Sequence, residues 1–112
     1  MLHVRKAKGF TATEELEAPT CNLAKIKLTP GFQANWKWKR NRKSDLLIRI
    51  ISGSAMIDVG NDGPTFLSTK SQSTIFIRRG VAYRWIIQSK RGVTFYVFAT
   101  PAWTPDQYED VT

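Results

Sequence analysis

Side chains able to do acid, base, nucleophilic or metal chemistry are few in this sequence and far apart. There is one histidine, His3, and one cysteine, Cys21, and the acidic residues concentrate in Glu14, Glu15 and Glu17 and again in Asp106, Glu109 and Asp110. A first-row metal site needs several imidazole, carboxylate or thiolate ligands converging on one point. A Ser/His/acid or Cys/His arrangement needs a histidine beside its nucleophile. With a single histidine next to the N-terminus, the sequence leads us to expect no catalytic residue, no metal and no cofactor, and so not an enzyme. Cys21 has no partner for an internal disulfide, which fits a reducing compartment, and its expected role is that of a small buried hydrophobe.

The stretch richest in recognition chemistry is aromatic and basic. Trp36 and Trp38 alternate with Lys37 and Lys39, and the run continues into Arg40, Arg42 and Lys43. Two readings stay open. In one, the segment is a surface for an acidic partner, with aromatic anchors and with arginine forks that pair carboxylates or phosphates. In the other, the two indoles line the interior and the lysines are solvated. The formal charge of +8 is unevenly spread, with acid near both ends and a strongly basic middle. Such a field favours nucleic acid, an acidic protein segment or anionic lipid without choosing among them. No helix-turn-helix or finger pattern is present, so direct nucleic-acid binding through the basic middle would be weakly specific and steeply salt-dependent.

These residues are positioned by short strands. A chain of 112 residues is long enough for one buried core and too short for two. From Cys21 onward we expect strands at 22–28, 33–38, 45–52, 55–59, 65–67, 74–77, 83–88 and 93–99, separated by turn chemistry such as Thr29-Pro30-Gly31, Ser52-Gly53, Arg79-Gly80 and Lys90-Arg91-Gly92. That spacing predicts an all-β sandwich or small barrel. Before it, residues 1–18 read as an N-terminal arm in which Thr13 caps a brief helix through Glu17, stopped by Pro19. The barrel is expected over 19–103 and an acidic tail over 104–112, which either folds back on the basic middle or, as is commoner for such tails, stays mobile. No apolar run approaches the roughly 18 residues of a membrane span, and the N-terminus lacks the apolar stretch of a signal peptide, so no membrane partner is expected and an intracellular site is.

Two strands are apolar on both faces, where an antiparallel strand with one wet face would alternate. In 46–51 one face carries Leu46, Ile48 and Ile50 and the other Leu47 and Ile51; in 93–98 the sets are Val93, Phe95, Val97 and Thr94, Tyr96, Phe98. Either a second sheet and the N-terminal arm cover both faces, or one face is buried against a second copy. The two-residue period points Tyr83, Trp85 and Ile87 inward, with Arg84 and Ile86 outward. The outward set Leu47, Arg49, Ile51, Ile86, Tyr96 and Phe98 is the candidate dimer face.

The order of glycines and strands resembles the two motifs of the cupin superfamily over about residues 20–100. Pro30-Gly31, Trp36-Lys37-Trp38, Leu46 and Gly53 follow the first motif; Ile75-Phe76-Ile77-Arg78-Arg79-Gly80-Val81-Ala82-Tyr83 follows the second. Leu46 stands seven residues before Gly53, where the family carries a glutamate, and Tyr83 stands three residues after Gly80, where it carries a histidine. The family's His-x-His pair falls on Trp36 and Trp38 or on Lys37 and Lys39. The resemblance therefore implies a cupin-type double-stranded β-helix, or jelly roll, that is metal-free.

Among metal-free cupins, the run through Tyr83-Arg84-Trp85 is most similar to the centromere protein C (Mif2) C-terminal domain, with Arg78 where that family has proline and Val81 where asparagine is usual. That likeness implies a non-catalytic homodimerisation and recruitment module in the nucleus, at the kinetochore, taking an acidic protein such as a centromere assembly factor on Lys37, Lys39, Arg40, Arg42 and Lys43. The alternatives are a ligand-sensing cupin holding a small organic molecule around Tyr83 and Trp38, or a DNA-binding domain. A ligand is the lesser expectation, since Leu46, Trp85, Trp36 and Trp38 would fill much of the interior.

Overall fold

The computed structural model describes residues 4–18, 20–60, 62–101 and 108–110. Within them are ten strands: β1 (Val4–Ala7), β2 (Phe10–Ala18), β3 (Cys21–Leu28), β4 (Lys39–Asn41), β5 (Asp45–Val59), β6 (Pro64–Ser68), β7 (Thr74–Ile77), β8 (Ala82–Ile86), β9 (Val93–Thr100) and β10 (Tyr108–Asp110). They join in the order β1-β2-β3-β9-β5-β8-β4-β10, with β6 and β7 also paired to β5, and the pairings among these ten strands are antiparallel.

The curl into two facing layers comes from β5. Its first half pairs with β9 and β7, its second half with β6 and β8, so one strand belongs to both layers. A register shift between Ile50 and Ser52 marks the bend. Leu46, Ile48 and Ile50 are buried before it, and Ala55 and Ile57 after it. An inserted residue changes which parity faces the core, as a β-bulge does. Both halves thereby deliver their apolar set to one interior, joined there by Leu28, Leu67, Ile77, Trp85, Ile87 and Phe95. Fully burying such side chains contributes about 1.5–3 kcal/mol each.

At one end of the barrel three backbones cross too closely for side chains. Gly53 and Gly92 have φ of 76° and 70°. A Cβ on Gly53 would meet the Gly92 carbonyl, and one on Gly92 would meet the carbonyl of Leu28 at the end of β3. These glycines let β3, β5 and the turn before β9 stack.

Several local expectations are corrected. Thr13 to Glu17 is part of β2 and not a helix, because β3 pairs along this stretch, β1 joins at Thr13, and sheet pairing overrides a weak capping signal. Residues 4–18 are thus strands of the same sheet as β3, hydrogen-bonded to it rather than lying beside it as an arm. The segment 33–38 is a series of turns, with Trp36 at φ 69°, and the strand in this region is β4. In the acidic tail, Tyr108–Asp110 pairs with β4, setting Asp110 opposite Lys39 and Glu109 opposite Arg40. Cys21 is half-buried, on the side of β3 away from the core.

Candidate functional site

Between the two layers lies a cavity of about 370 Å³. That is within the range of small-molecule sites. Its floor is the inner face of one layer: Ala12 from β2, Ala24 and Ile26 from β3, Val97 and Ala99 from β9, Ile48 from β5. Three of these six are alanines, and facing small residues leave the volume that a Leu or Phe would fill. The opposite wall is Tyr83 and Trp85 of β8, with Lys39 of β4. Trp85 stacks on Phe95 at 4.7 Å between ring centroids. That packing fixes the indole plane as a flat wall.

The mouth is shaped by the turns 32–37, which the sequence suggested would be a strand. Asn35 holds them in place. Its Oδ1 accepts the Ile87 backbone N–H at 2.8 Å, and its Nδ2 donates to the Ile87 carbonyl at 3.0 Å and to the Pro30 carbonyl at 3.3 Å. The Trp36 N–H donates to the Trp85 carbonyl at 2.8 Å. One amide side chain thereby does for the end of β8 what a paired strand would do. Asn35 was not legible as a site residue, since an Asn in a turn ordinarily signals only the turn. With the segment fastened, Phe32, Gln33, Ala34 and Lys37 reach the cavity, and Phe32 stacks on Phe10 at 5.7 Å.

The placement of the two tryptophans corrects an expectation. Trp36 is 49% exposed and Trp38 half-buried, and neither lines the cavity. They flank Arg84 instead, whose guanidinium lies 4.8 Å from the Trp38 ring and 5.8 Å from the Trp36 ring. Arg84 also reaches Asp58, itself 7% exposed, through Nη2 at 3.2 Å and Nε at 3.3 Å. The reason is the positive φ at Trp36, which breaks the inward alternation that a strand at 33–38 would have imposed. The interior is accordingly emptier than expected. Leu46, Tyr83 and Trp85 do line it, with Tyr83 5% exposed and joined by Asn22, likewise 5% exposed, as the two buried polar side chains on its wall.

The expected basic surface splits in two. Lys37 and Lys39 belong to the cavity lining, and the Lys39 ammonium stands 5.7 Å from the Phe32 ring. Arg42 and Lys43 are exposed on a bend beyond it, and Arg40 is half-buried. Buried Asn41 makes that bend, its Oδ1 accepting the backbone N–H groups of Lys43 and Ser44, while the Ser44 hydroxyl donates to the Pro101 carbonyl at 2.7 Å. Next to it Asp45 accepts the backbone N–H of Arg79 at 2.8 Å and its Nε–H at 3.2 Å. Those hydrogen bonds from Arg79 hold the Asp45 carboxyl below its ordinary range.

The candidate dimer residues do not share one face. Leu47 is 43% exposed, Arg49 is exposed, and Ile51, Tyr96 and Phe98 are half-buried, all on the outer side of the layer that holds β9. Ile86 is 4% exposed and is on β8 in the other layer, opposite Met56. It is buried there and drops out of the set. Phe76, 54% exposed and opposite Leu47, takes its place.

At the positions corresponding to cupin metal ligands stand Trp36, Lys37, Trp38, Lys39, Leu46 and Tyr83. Ammonium, indole and alkyl groups are not donors for a divalent metal at neutral pH. Among the described residues no group of three His, Cys, Asp or Glu side chains converges, and His3 lies outside them. These residues do not fit the cupin metal, and no chemistry is derived through one.

No family model matches the chain, and no curated protein matches it by sequence. Solved structures match it closely in shape. A Streptomyces Pac13 with uridine superposes with a TM-score of 0.76 over 99% of this chain and 85% of that one, at 12% identity. Pac13 is described as a nucleoside dehydratase with a β-barrel. KdgF from Halomonas sp. gives 0.74 over 93% of this chain and 91% of that one, at 10% identity. An uncharacterised protein with a double-stranded β-helix domain from Klebsiella pneumoniae gives 0.73 over 97% and 90%, at 16% identity. At such identities the likeness establishes the fold. It also overturns the expectation that this chain is no enzyme, because that expectation took the lack of metal ligands and of a histidine beside a nucleophile to exclude catalysis while a barrel of the same shape is a dehydratase. These likenesses show no link to a centromere protein.

Proposed function

We propose that this chain, a cupin-type double-stranded β-helix, binds a small organic molecule with a flat apolar body in the space between its two layers. The observation that carries the reading is the cavity itself, kept open by Ala12, Ala24 and Ala99 beneath the Trp85 and Tyr83 wall. A sequence selected only for stability would fill it, since a void of this kind forfeits packing energy. Any acid-base step on a bound molecule falls to the proton-bearing groups of the wall, Tyr83 and Lys39. The kinetochore reading rests on sequence likeness, around Tyr83 and over 46–58 and 93–99, and on the lost metal ligands. The ligand-binding reading has the cavity and the shape of a uridine-bound barrel behind it. Titration with a neutral fluorescent aromatic, N-phenyl-1-naphthylamine, tests it: saturable one-to-one enhancement is expected, and no saturable binding would sink the reading.

A second reading, self-association, is carried by the outer face. Leu23, Phe98, Leu47 and Phe76 are successive cross-strand partners over β3, β9, β5 and β7, forming an apolar stripe flanked by Lys25, Tyr96 and Arg49. With those flanking rows the face offers on the order of 500 Å² per copy at ordinary strand spacings. A standard interface buries about 800 Å² per partner. The occupant that fits is a second copy in weak, exchanging contact, since the stripe runs unbroken from β3 to the edge strand β7. Sedimentation across a dilution series should show a dimer that Leu47→Asp abolishes without lowering Tm. A wild-type monomer at every concentration would remove this reading.

A further inference from the structure

Among the described residues, the charges on the cavity wall are all of one sign: Lys8, Lys37, Lys39 and Arg84 line it, and no Asp or Glu does. Arg84 is already committed, held between two indoles and paired with Asp58. The lysines are not. Lys8 and Lys37 are exposed at the mouth and Lys39 is half-buried against Phe32, and none of the three is ion-paired among the described residues. Three like charges around one concavity repel one another, and an anion between them relieves that repulsion while low-dielectric walls sharpen the attraction.

Resting on the reading of the cavity as a ligand site, we infer that its ligand is an organic anion: a ring or chain that enters the apolar interior and a carboxylate, phosphate or sulfonate that stays at the mouth among Lys8, Lys37 and Lys39. The division follows the lining. The inner end is alkyl and aromatic, with Asn22 and Tyr83 the buried polar side chains, and the ammonium groups stand on the turn after β1, on the turns 32–37 and at the start of β4. Lysine suits this place because a long aliphatic stem lies along apolar surface while its head stays in water, and the Lys39 ammonium stands 5.7 Å from the Phe32 ring centroid. A neutral molecule of the same shape gains only the interior.

Two dyes with one ring system separate the terms: 8-anilinonaphthalene-1-sulfonate and its neutral counterpart N-phenyl-1-naphthylamine, titrated into the whole chain. The expected result is sulfonate affinity that falls at least tenfold between low and high salt, while the neutral dye does not weaken. In the Lys8→Gln/Lys37→Gln/Lys39→Gln variant, the ratio of sulfonate to neutral affinity should drop at least tenfold. Folding is checked by the thermal transition, and the salt series on the unmodified protein stands even if the variant fails to fold. Neutral binding with a salt-independent sulfonate affinity, or an unchanged ratio in the folded variant, would overturn the anion inference and leave the cavity reading intact. Failure of both dyes to bind would overturn both.

Discussion

Replacing Gly92 by alanine should lower the thermal transition by about 10 °C or more, the largest single-residue effect expected in this barrel. Two costs combine. The residue is held at φ 70°, where a side chain is strained by about 1–2 kcal/mol. Its new Cβ would also overlap the Leu28 carbonyl oxygen, and that is backbone at the end of a buried strand which cannot swing aside. Together about 3 kcal/mol or more is expected, and for a domain near this size each kcal/mol shifts Tm by several degrees. Gly80→Ala is the control. Its φ of 82° is as unfavourable, yet nothing stands within 4 Å of the added Cβ. Scanning calorimetry on both variants separates the terms. Equal losses would mean that backbone conformation alone accounts for Gly92 and that the close stacking of β3, β5 and the Gly92 turn contributes nothing.

The same stacking shows why some of the fold was legible and some was not. The glycines and the period-two apolar sets of 46–51 and 93–98 announced strands and a small barrel, because each is a local requirement of sheet geometry. The placement of Gly53 against Gly92 is non-local, a contact between residues far apart in sequence, and a turn signal does not carry it. Thr13 to Glu17 misled in the opposite way, since its capping cue concerns one segment by itself and what overrides it is pairing, Thr13 with Val4 of β1 and Glu14 to Glu17 along β3. Ile86 failed by the same mechanism. Its parity relative to Arg84 was read correctly, but which layer β8 joins depends on how β5 bends, so an outward direction on β8 proved to be a buried one.

For the site, the residue types were legible and their arrangement was not. Tyr83, Trp85 and Leu46 reach the interior because a regular strand fixes their direction. Trp36 and Trp38 do not, because 33–38 is a series of turns with Trp36 left-handed and not a strand. The absence of metal ligands was visible in the composition. That scarcity bore on metal chemistry, and the single histidine bore on His-assisted nucleophiles; extending the two to all catalysis was the overreach that the shape of a dehydratase barrel exposed. The small floor residues gave no signal whatever: an alanine in a strand reads as weak β-propensity until the layer opposite it is known.

Those alanines carry the second large prediction. Ala24→Phe should weaken binding of the neutral naphthylamine at least tenfold while leaving Tm unchanged or higher. Ala24 is on β3 between Asn22 and Ile26, faces the cavity and is half-buried only because the space before it is open. A phenyl group directed there enters volume that no side chain occupies, so it gains apolar contact of about 1–2 kcal/mol without displacing the core. The ligand loses the same volume. Leu23→Phe, one residue away on the outer side of the same strand, makes a similar increase in bulk where no cavity exists, and dye affinity should not change. Loss of binding in the first variant with retention in the second locates the ligand between the layers. Retention in both would instead move the dye to the apolar stripe around Leu47, and Leu47→Asp would then be the variant that releases it.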